Sequence, residues 1–437
     1  MRLMKKLSIL PLLALVLLLN AAPADAIYRQ QCPPDIDGID SDGDGIVSND
    51  HVCLQIGSGD GFATMADGYP QYIFGFSRFG PPGLIYNAGG YDPVEGPGGP
   101  SATLADPVPD ISTVGNMWNN SGLILAANSP APTIELKQGQ HVFLNLHNVG
   151  MLMRPDLFDP HTVHYHGFPN VASIFDGLPD SAIAINMGST LTYYYYLAEP
   201  GTFMYHCHVE ATEHMQMGML GNFYVKARQD NTVPGNVVPG GTYVMQAGDQ
   251  FAYNDGDGKT RYTTDKDFPI QIQSWDPNFH DANENTQPLP FAGMHDVYPM
   301  LNARGYPDTV NPAPILNAEG YDAQDMNALI TANAGDRILL RISSLATVEY
   351  YTLISPSIPM TVVGNGAKIL RAGGVATGTD LSYQTNSINL GGGESMEVIL
   401  DTTGIPAGTY FLYSRNLHQL SNNQEDFGGM MTEIVLN

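Results

Sequence analysis

Two stretches of this chain share one pattern. Thr133-Ile-Glu-Leu136 and His141-Val-Phe-Leu-Asn-Leu146 alternate apolar and polar residues on either side of Gly139, and residues 329–342 do the same around Gly335. Gly408-Thr-Tyr-Phe-Leu-Tyr413 parallels Gly201-Thr-Phe-Met-Tyr205, and Gly429-Met430 parallels Gly218-Met219. A period of two puts successive side chains on opposite faces, as in a half-buried strand. Repetition of a whole series of such strands means one structural unit used twice. Helical periodicity is scarce, and the strands are separated by turns such as Pro200-Gly201. The reading is an all-β chain of two tandem sandwiches, at 60–230 and 231–437. Residues 78–110, dense in Gly and Pro, read as loop.

The N-terminus has a different character. Arg2, Lys5 and Lys6 precede an apolar run, Ile9 to Leu19, that is short for a bilayer span, and Ala24-Asp25-Ala26 follows it. Residues 1–26 therefore read as a signal peptide, and the mature chain as exported to the periplasm, cell surface or medium. Residues 27–59 form an acidic segment bracketed by Cys32 and Cys53. Within it, Asp35, Asp37, Asp40, Asp42 and Asp44 alternate with small residues, the spacing of oxygen ligands in calcium loops. Position twelve from Asp40 is His51 rather than an acid, and a solvated acidic loop fits the same residues.

The whole chain carries 44 acidic against 18 basic side chains, a balance that argues against nucleic acid as a partner. The three cysteines are Cys32, Cys53 and Cys207. In an exported protein an odd count leaves one thiol over. Cys32 and Cys53 are placed to pair, which leaves Cys207 free to act as a thiolate.

Cys207 stands among histidines: His206-Cys207-His208, then His214 and Met219. Some forty residues earlier lies His161-Thr-Val-His164-Tyr-His166-Gly167. Strand parity sorts these residues into two groups. His206 and His208 share one face while Cys207 takes the other. His164 and His166 share a face that His161 does not. One group is thus His161, Cys207 and His214 with the thioether of Met219, the ligand set of a blue-copper site. The other is four imidazoles, His164, His166, His206 and His208, joined to the first group through the peptide on either side of Cys207. The second repeat has Ser414, Arg415 and Asn416 where the first has His206, Cys207 and His208.

On these residues the chain resembles the multicopper oxidase superfamily, which includes laccases and has copper nitrite reductases as relatives. Ser129-Pro-Ala-Pro132-Thr-Ile looks like the family's opening strand. His164-Tyr-His166-Gly167, Asp176-Gly177-Leu-Pro179 and Gly201-Thr-Phe-Met-Tyr-His-Cys-His208 follow in family order. The resemblance covers most of the mature chain. It implies cupredoxin-like Greek-key domains, type 1 copper on His161, Cys207, His214 and Met219, and type 2/type 3 copper at His164, His166, His206 and His208. It further implies oxidation of a small reduced substrate, a metal ion or a redox protein. Electrons would enter at the type 1 copper, pass to the histidine cluster and leave to oxygen or another acceptor.

Three departures qualify what carries over. The loop from Cys207 to His214 is two residues longer than the usual oxidase pattern. The family's oxygen-reducing cluster uses eight histidines from two domains, and four stand at matching positions here. His164 occupies the place of an aspartate that nitrite reductases use, which counts against nitrite reduction. The second repeat offers only His280, His295 and His418. Family members assemble sites between protomers, so a homo-oligomer, a trimer, is one way for His295 or His418 to reach a neighbour's cluster. Both also read as plain surface residues. Two other functions fit the same residues: a type 1 copper electron carrier without oxidase activity, and a copper-binding envelope protein that uses Met215, Met217 and Met219.

Overall fold

The structure, a computed structural model, describes residues 38–46, 50–78, 85–87, 124–168 and 172–437. The signal-peptide segment, Asp35, Asp37 and Cys32 lie outside the described residues. Nine strands build the first sandwich: β1 (His51–Thr64), β2 (Pro70–Arg78), β3 (Ile85–Asn87), β4 (Ala131–Lys137), β5 (His141–Gly150), β6 (His164–His166), β7 (Thr190–Tyr196), β8 (Gly201–His206) and β9 (Leu220–Lys226). One sheet has the order β2-β1-β5-β7 and the other β3-β4-β9-β8-β6. Strands β1 and β5 are parallel, as are β4 and β9.

The second sandwich repeats this wiring. Asp267–Trp275 runs parallel to Arg337–Ser344, as β1 does to β5, and Ile330–Ala332 runs parallel to Met431–Leu436, as β4 does to β9. Gly408–Ser414 and Tyr351–Ile354 stand where β8 and β6 stand in the first copy. The all-β class and the pair of cupredoxin-like sandwiches expected from the sequence are therefore present.

Alternation explains why these segments form strands. In β7, Tyr193 and Tyr195 are fully buried while Tyr194 and Tyr196 are each 38% exposed. Tyr193 and Tyr195 enter a core with Val142, Leu144 and Leu146 of β5 and Phe203, Tyr205, Phe223 and Val225 of β8 and β9. Burying one such aromatic or aliphatic side chain contributes roughly 1.5–3 kcal/mol.

Two features depart from the sequence reading. Strand β1 starts at His51, so residues 51–59 pair within the first sandwich, although the sequence reading set them in the acidic segment. Residues 85–87 form an edge strand parallel to β4 within the stretch read as loop. With β1–β3 ahead of it, the segment beginning at Ser129 is the fourth strand and not the opening one. Cys53 is disulfide-bonded and Cys207 is free.

Strand β8 is buried along both faces, which fixes where the histidines go. Phe203 and Tyr205 point into the first core. Met204, on the opposite face, packs with Leu220 and with Leu345 of the second sandwich. The same face is tied across the junction: the Thr202 N–H donates to Glu397 Oε1 at 2.5 Å, and Ser395 Oγ donates to the Thr202 carbonyl at 2.8 Å. Residues of β8 and its continuation thus face alternately the copper domain's own core and the junction between sandwiches.

Candidate metal centre

Cys207 follows the parity of Phe203 and Tyr205 into the core, where it is fully buried. His161 and His214 converge on it. Their ligand atoms and the Cys207 sulfur all lie within 4.8 Å of one another. His214 Nδ1 is 3.1 Å from Cys207 Sγ and His161 Nδ1 is 3.9 Å from it. The Thr162 N–H points at the same sulfur from 3.4 Å. Met219, also fully buried, is bound through its backbone to both partners: its N–H donates to the His214 carbonyl and its carbonyl accepts from the Cys207 N–H.

The loop between Cys207 and His214, two residues longer than the oxidase pattern, closes through a six-residue helix, Ala211–Gln216. Glu210 enters it at φ 46°. Gln216, buried on that helix, donates to Asp296 Oδ1 at 3.1 Å and accepts from Thr347 Oγ1 at 2.6 Å, so the second sandwich holds the loop. Behind His214, Asp159 Oδ2 lies 3.2 Å from Nε2. A carboxylate on the outer nitrogen of a histidine fixes the ring and raises its donor strength.

The electrostatics suit a soft cation. Burial alone would push the Cys207 thiol up, but the His214 and His161 imidazoles beside it bring it down to about 5. Burial disfavours the His214 cation, yet Cys207 and Asp159 together hold its pKa well above the usual histidine value. His161 Nε2 lacks a hydrogen-bond partner among the described residues. A buried cysteine sulfur on which two imidazoles converge is a donor set that fits copper.

The four remaining histidines gather on the other face of the same strands. Ring centroids of His164 lie 5.5, 5.2 and 5.1 Å from those of His166, His206 and His208, and His206 and His208 stack at 5.4 Å. His164, His166 and His206 each bring a nitrogen within 4.8 Å of the others; His208 stands beside this trio. His164 Nδ1 donates to the Asp176 carbonyl at 2.6 Å, and His206 Nδ1 donates to the Cys207 carbonyl at 2.7 Å. Their Nε2 atoms are thereby left unprotonated, as metal ligands must be. Burial lowers the pKa of His164, His166 and His206, the last to about 3.

This cluster lies at the junction between sandwiches. A Cβ on Gly393, which sits at φ +87°, would come 3.0 Å from Cε1 and Nε2 of His166. Only glycine allows the second sandwich to approach the ring so closely. The second copy has no imidazoles at the matching positions. The Ser414 N–H donates to the Met430 carbonyl as the Cys207 N–H does to that of Met219, so Ser414 stands in the place of Cys207 rather than of His206, and Ile354 pairs with Tyr413 where His164 pairs with His206 in the first copy.

The other histidines stand apart. His280 is fully buried, donates from Nδ1 to the Tyr72 carbonyl at 2.6 Å and has its pKa lowered to about 4 by burial. It pins the helix Pro277–Glu284 to β2. His295 and His418 are exposed, with ring centroids 6.3 Å apart. Asp159, Gln216 and Gly393 were not singled out from the sequence; no spacing rule connects them to the metal ligands.

Two multicopper oxidase family profiles match the chain, one over residues 112–230 and one over 267–437, between them well over half of it. Among solved structures, the blue copper oxidase of Nitrosomonas europaea is similar at a TM-score of 0.54 and 19% identity, covering 88% of this chain and 85% of its own. The multicopper oxidase mgLAC is similar at 0.54 and 18%, covering 88% and 86%. A third multicopper oxidase gives 0.51 and 12%, covering 88% of each chain. At these identities the likeness is one of fold. No curated protein matches. The chain belongs to the multicopper oxidase family.

Proposed function

We propose that this copper oxidoreductase is an exported enzyme that takes electrons from a small reduced substrate and delivers them to oxygen. In this reading His161, Cys207, His214 and Met219 would hold a type 1 copper. His164, His166, His206 and His208 would hold copper of the type 2/type 3 kind. Copper bound at these sites supplies the one-electron chemistry that neither imidazole nor carboxylate provides. The chain's own residues do the rest. Cys207 faces one site while its neighbours His206 and His208 face the other, so a single stretch of backbone connects them. The hydrogen bond from His206 Nδ1 to the Cys207 carbonyl shortens that connection. Asp159 and Asp176 fix His214 and His164, and the second sandwich closes over both sites through Gln216 and Gly393.

The observation that carries the reading is this division of one strand end into a thiolate site and an imidazole site. Oxygen uptake by copper-loaded protein, with a phenol or a reduced metal ion as donor, tests it. Full occupancy of the thiolate site with no turnover would sink the oxidase reading.

A second reading is favoured by one observation: Ile354 and Tyr413 occupy the positions where a matching pair of imidazoles would stand in the second copy. A chain with an underfilled cluster would act as an electron carrier. It would hold close to one copper per chain, whereas a reproducible count of two or more excludes it.

A further inference from the structure

The acidic loop ahead of β1 takes no part in copper binding, and its side chains converge. Asp40, Asp42 and Asp44 each bring a carboxylate oxygen within 4.8 Å of the others. Acidic residues on a surface need no ion. Asp42 is different, because it is fully buried and its Oδ2 has no hydrogen-bond partner. Every other oxygen of the trio is engaged. Asp40 Oδ1 and Oδ2 accept from the Gly43 and Gly45 N–H groups, Asp42 Oδ1 accepts from the Asp44 N–H, and Asp44 Oδ1 accepts from the Ile46 N–H. Asp44 Oδ2 is 2.7 Å from Lys137 Nζ. That ammonium, 40% exposed, reaches only to 3.8 Å from Asp42 Oδ2.

A buried carboxylate oxygen without a donor costs free energy unless a cation meets it. One lysine supplies a single charge beside three carboxylates. The donors are all hard oxygens, and their spacing of two residues suits a flexible, highly coordinated cation. We propose that Asp40, Asp42 and Asp44 form a calcium site that clamps this loop to the copper-binding sandwich. The loop already lies on that sandwich. Asn231 Nδ2 donates to the Asp42 carbonyl at 3.0 Å, Arg228 donates to the Ser41 carbonyl, and Gly139 passes so close to Ser41 that a Cβ there would overlap its carbonyl oxygen. Calcium would draw Asp42 Oδ2 into the same junction and stabilise residues 38–46 against the turn between β4 and β5.

The test is calorimetric titration of the full-length, chelator-treated protein with calcium chloride, alongside its thermal unfolding midpoint. The expected result is one calcium per chain with Kd at or below about 1 mM, the weak end for extracellular calcium modules, and a midpoint that rises with calcium. Asp40→Asn, at an exposed position, should weaken binding at least tenfold, and Asp42→Asn should abolish it. Absence of saturable calcium binding in the wild-type chain overturns the proposal. So does binding that appears only in Lys137→Met, which would make the ammonium the resident cation. The titration does not involve copper, so its outcome is independent of the oxidase reading.

Discussion

Replacing Asp159 with asparagine tests the construction of the thiolate site without touching a ligand. His214 is held between two partners, with Nδ1 3.1 Å from Cys207 Sγ and Nε2 3.2 Å from Asp159 Oδ2. A full unit charge at 3.2 Å interacts with the carboxylate by about 5 kcal/mol at an effective dielectric constant near 20, which is a ceiling. A metal-bound imidazole carries only part of a charge. Loss of a carboxylate behind a metal-bound histidine weakens metal binding about 10–100-fold, or roughly 1.4–2.7 kcal/mol, which lies under that ceiling. Asp159→Asn keeps the side chain's shape and removes its charge. Copper affinity at the thiolate site should therefore fall about 10–100-fold. The copper content of the imidazole cluster, on the opposite face of β8, should stay constant. Competition against a copper chelator, followed through the blue thiolate–copper band, measures the first quantity, and metal analysis of the loaded protein the second. An affinity within twofold of wild type, with a correctly folded variant, would refute the claim that Asp159 sets the donor strength of His214.

Cys207→Ser should abolish the blue band while leaving the circular dichroism of the sandwiches unchanged, because the core around it rests on Phe203, Tyr205 and Phe223; a band retained in this variant would falsify the ligand assignment. Gly393→Ala places a methyl group against His166 at a φ of +87°, costing about 1–3 kcal/mol in backbone strain. It should lower oxygen turnover severalfold with the blue band intact, and equal loss of both would place the damage elsewhere. Burial raises the Asp230 carboxyl from 3.8 to about 7. A carboxyl raised in the folded state contributes stability that is complete below about 3.8 and lost as pH rises through about 7. Asp230→Asn should accordingly stabilise the protein at pH 8 by about 1–3 kcal/mol and do little at pH 4, measured by urea unfolding at both pH values.

The residues that repeat were legible in the sequence, and so was the parity that sorts the histidines. Tyr193 to Tyr196 alternate as cleanly in space as in sequence, and Cys207 follows Tyr205 into the core as period two requires. Strand β1 was harder to read. Its interior carries Gly57, Gly59 and Gly61 with Gln55, Ser58 and Asp60, all buried, so no apolar face stands out. Asp60 is tolerated there because Tyr72 OH and the Leu152 and Met153 N–H groups donate to it. The helix Ala211–Gln216 is too short to leave a periodic signal. Asp159, Gln216 and Gly393 reach the metal sites only through tertiary contacts: a carboxylate behind a ring, an amide across a junction, a missing Cβ. Such contacts leave no spacing in the chain to be read.

The second sandwich shows why the imidazole cluster is only half the size the family pattern implies. Its counterpart to His164 is Ile354 and its counterpart to His206 is Tyr413, paired with each other as the two histidines are. An aliphatic side chain and a phenol, neither a metal ligand of the imidazole kind, stand at these positions. The second sandwich instead serves as a wall: Gly393 lies against His166, Gln216 is bound by Asp296 and Thr347, and Glu397 holds the strand that ends in His206. Within one chain the converging donors are His161, Cys207 and His214 on one side and His164, His166 and His206 on the other, enough for one copper in each group. Metal analysis of copper-loaded monomeric protein is expected to count two coppers per chain, and a count of one would empty one of the two groups. A higher count that appears only on self-association would mean that exposed donors such as His295 and His418 complete the cluster of a neighbouring copy.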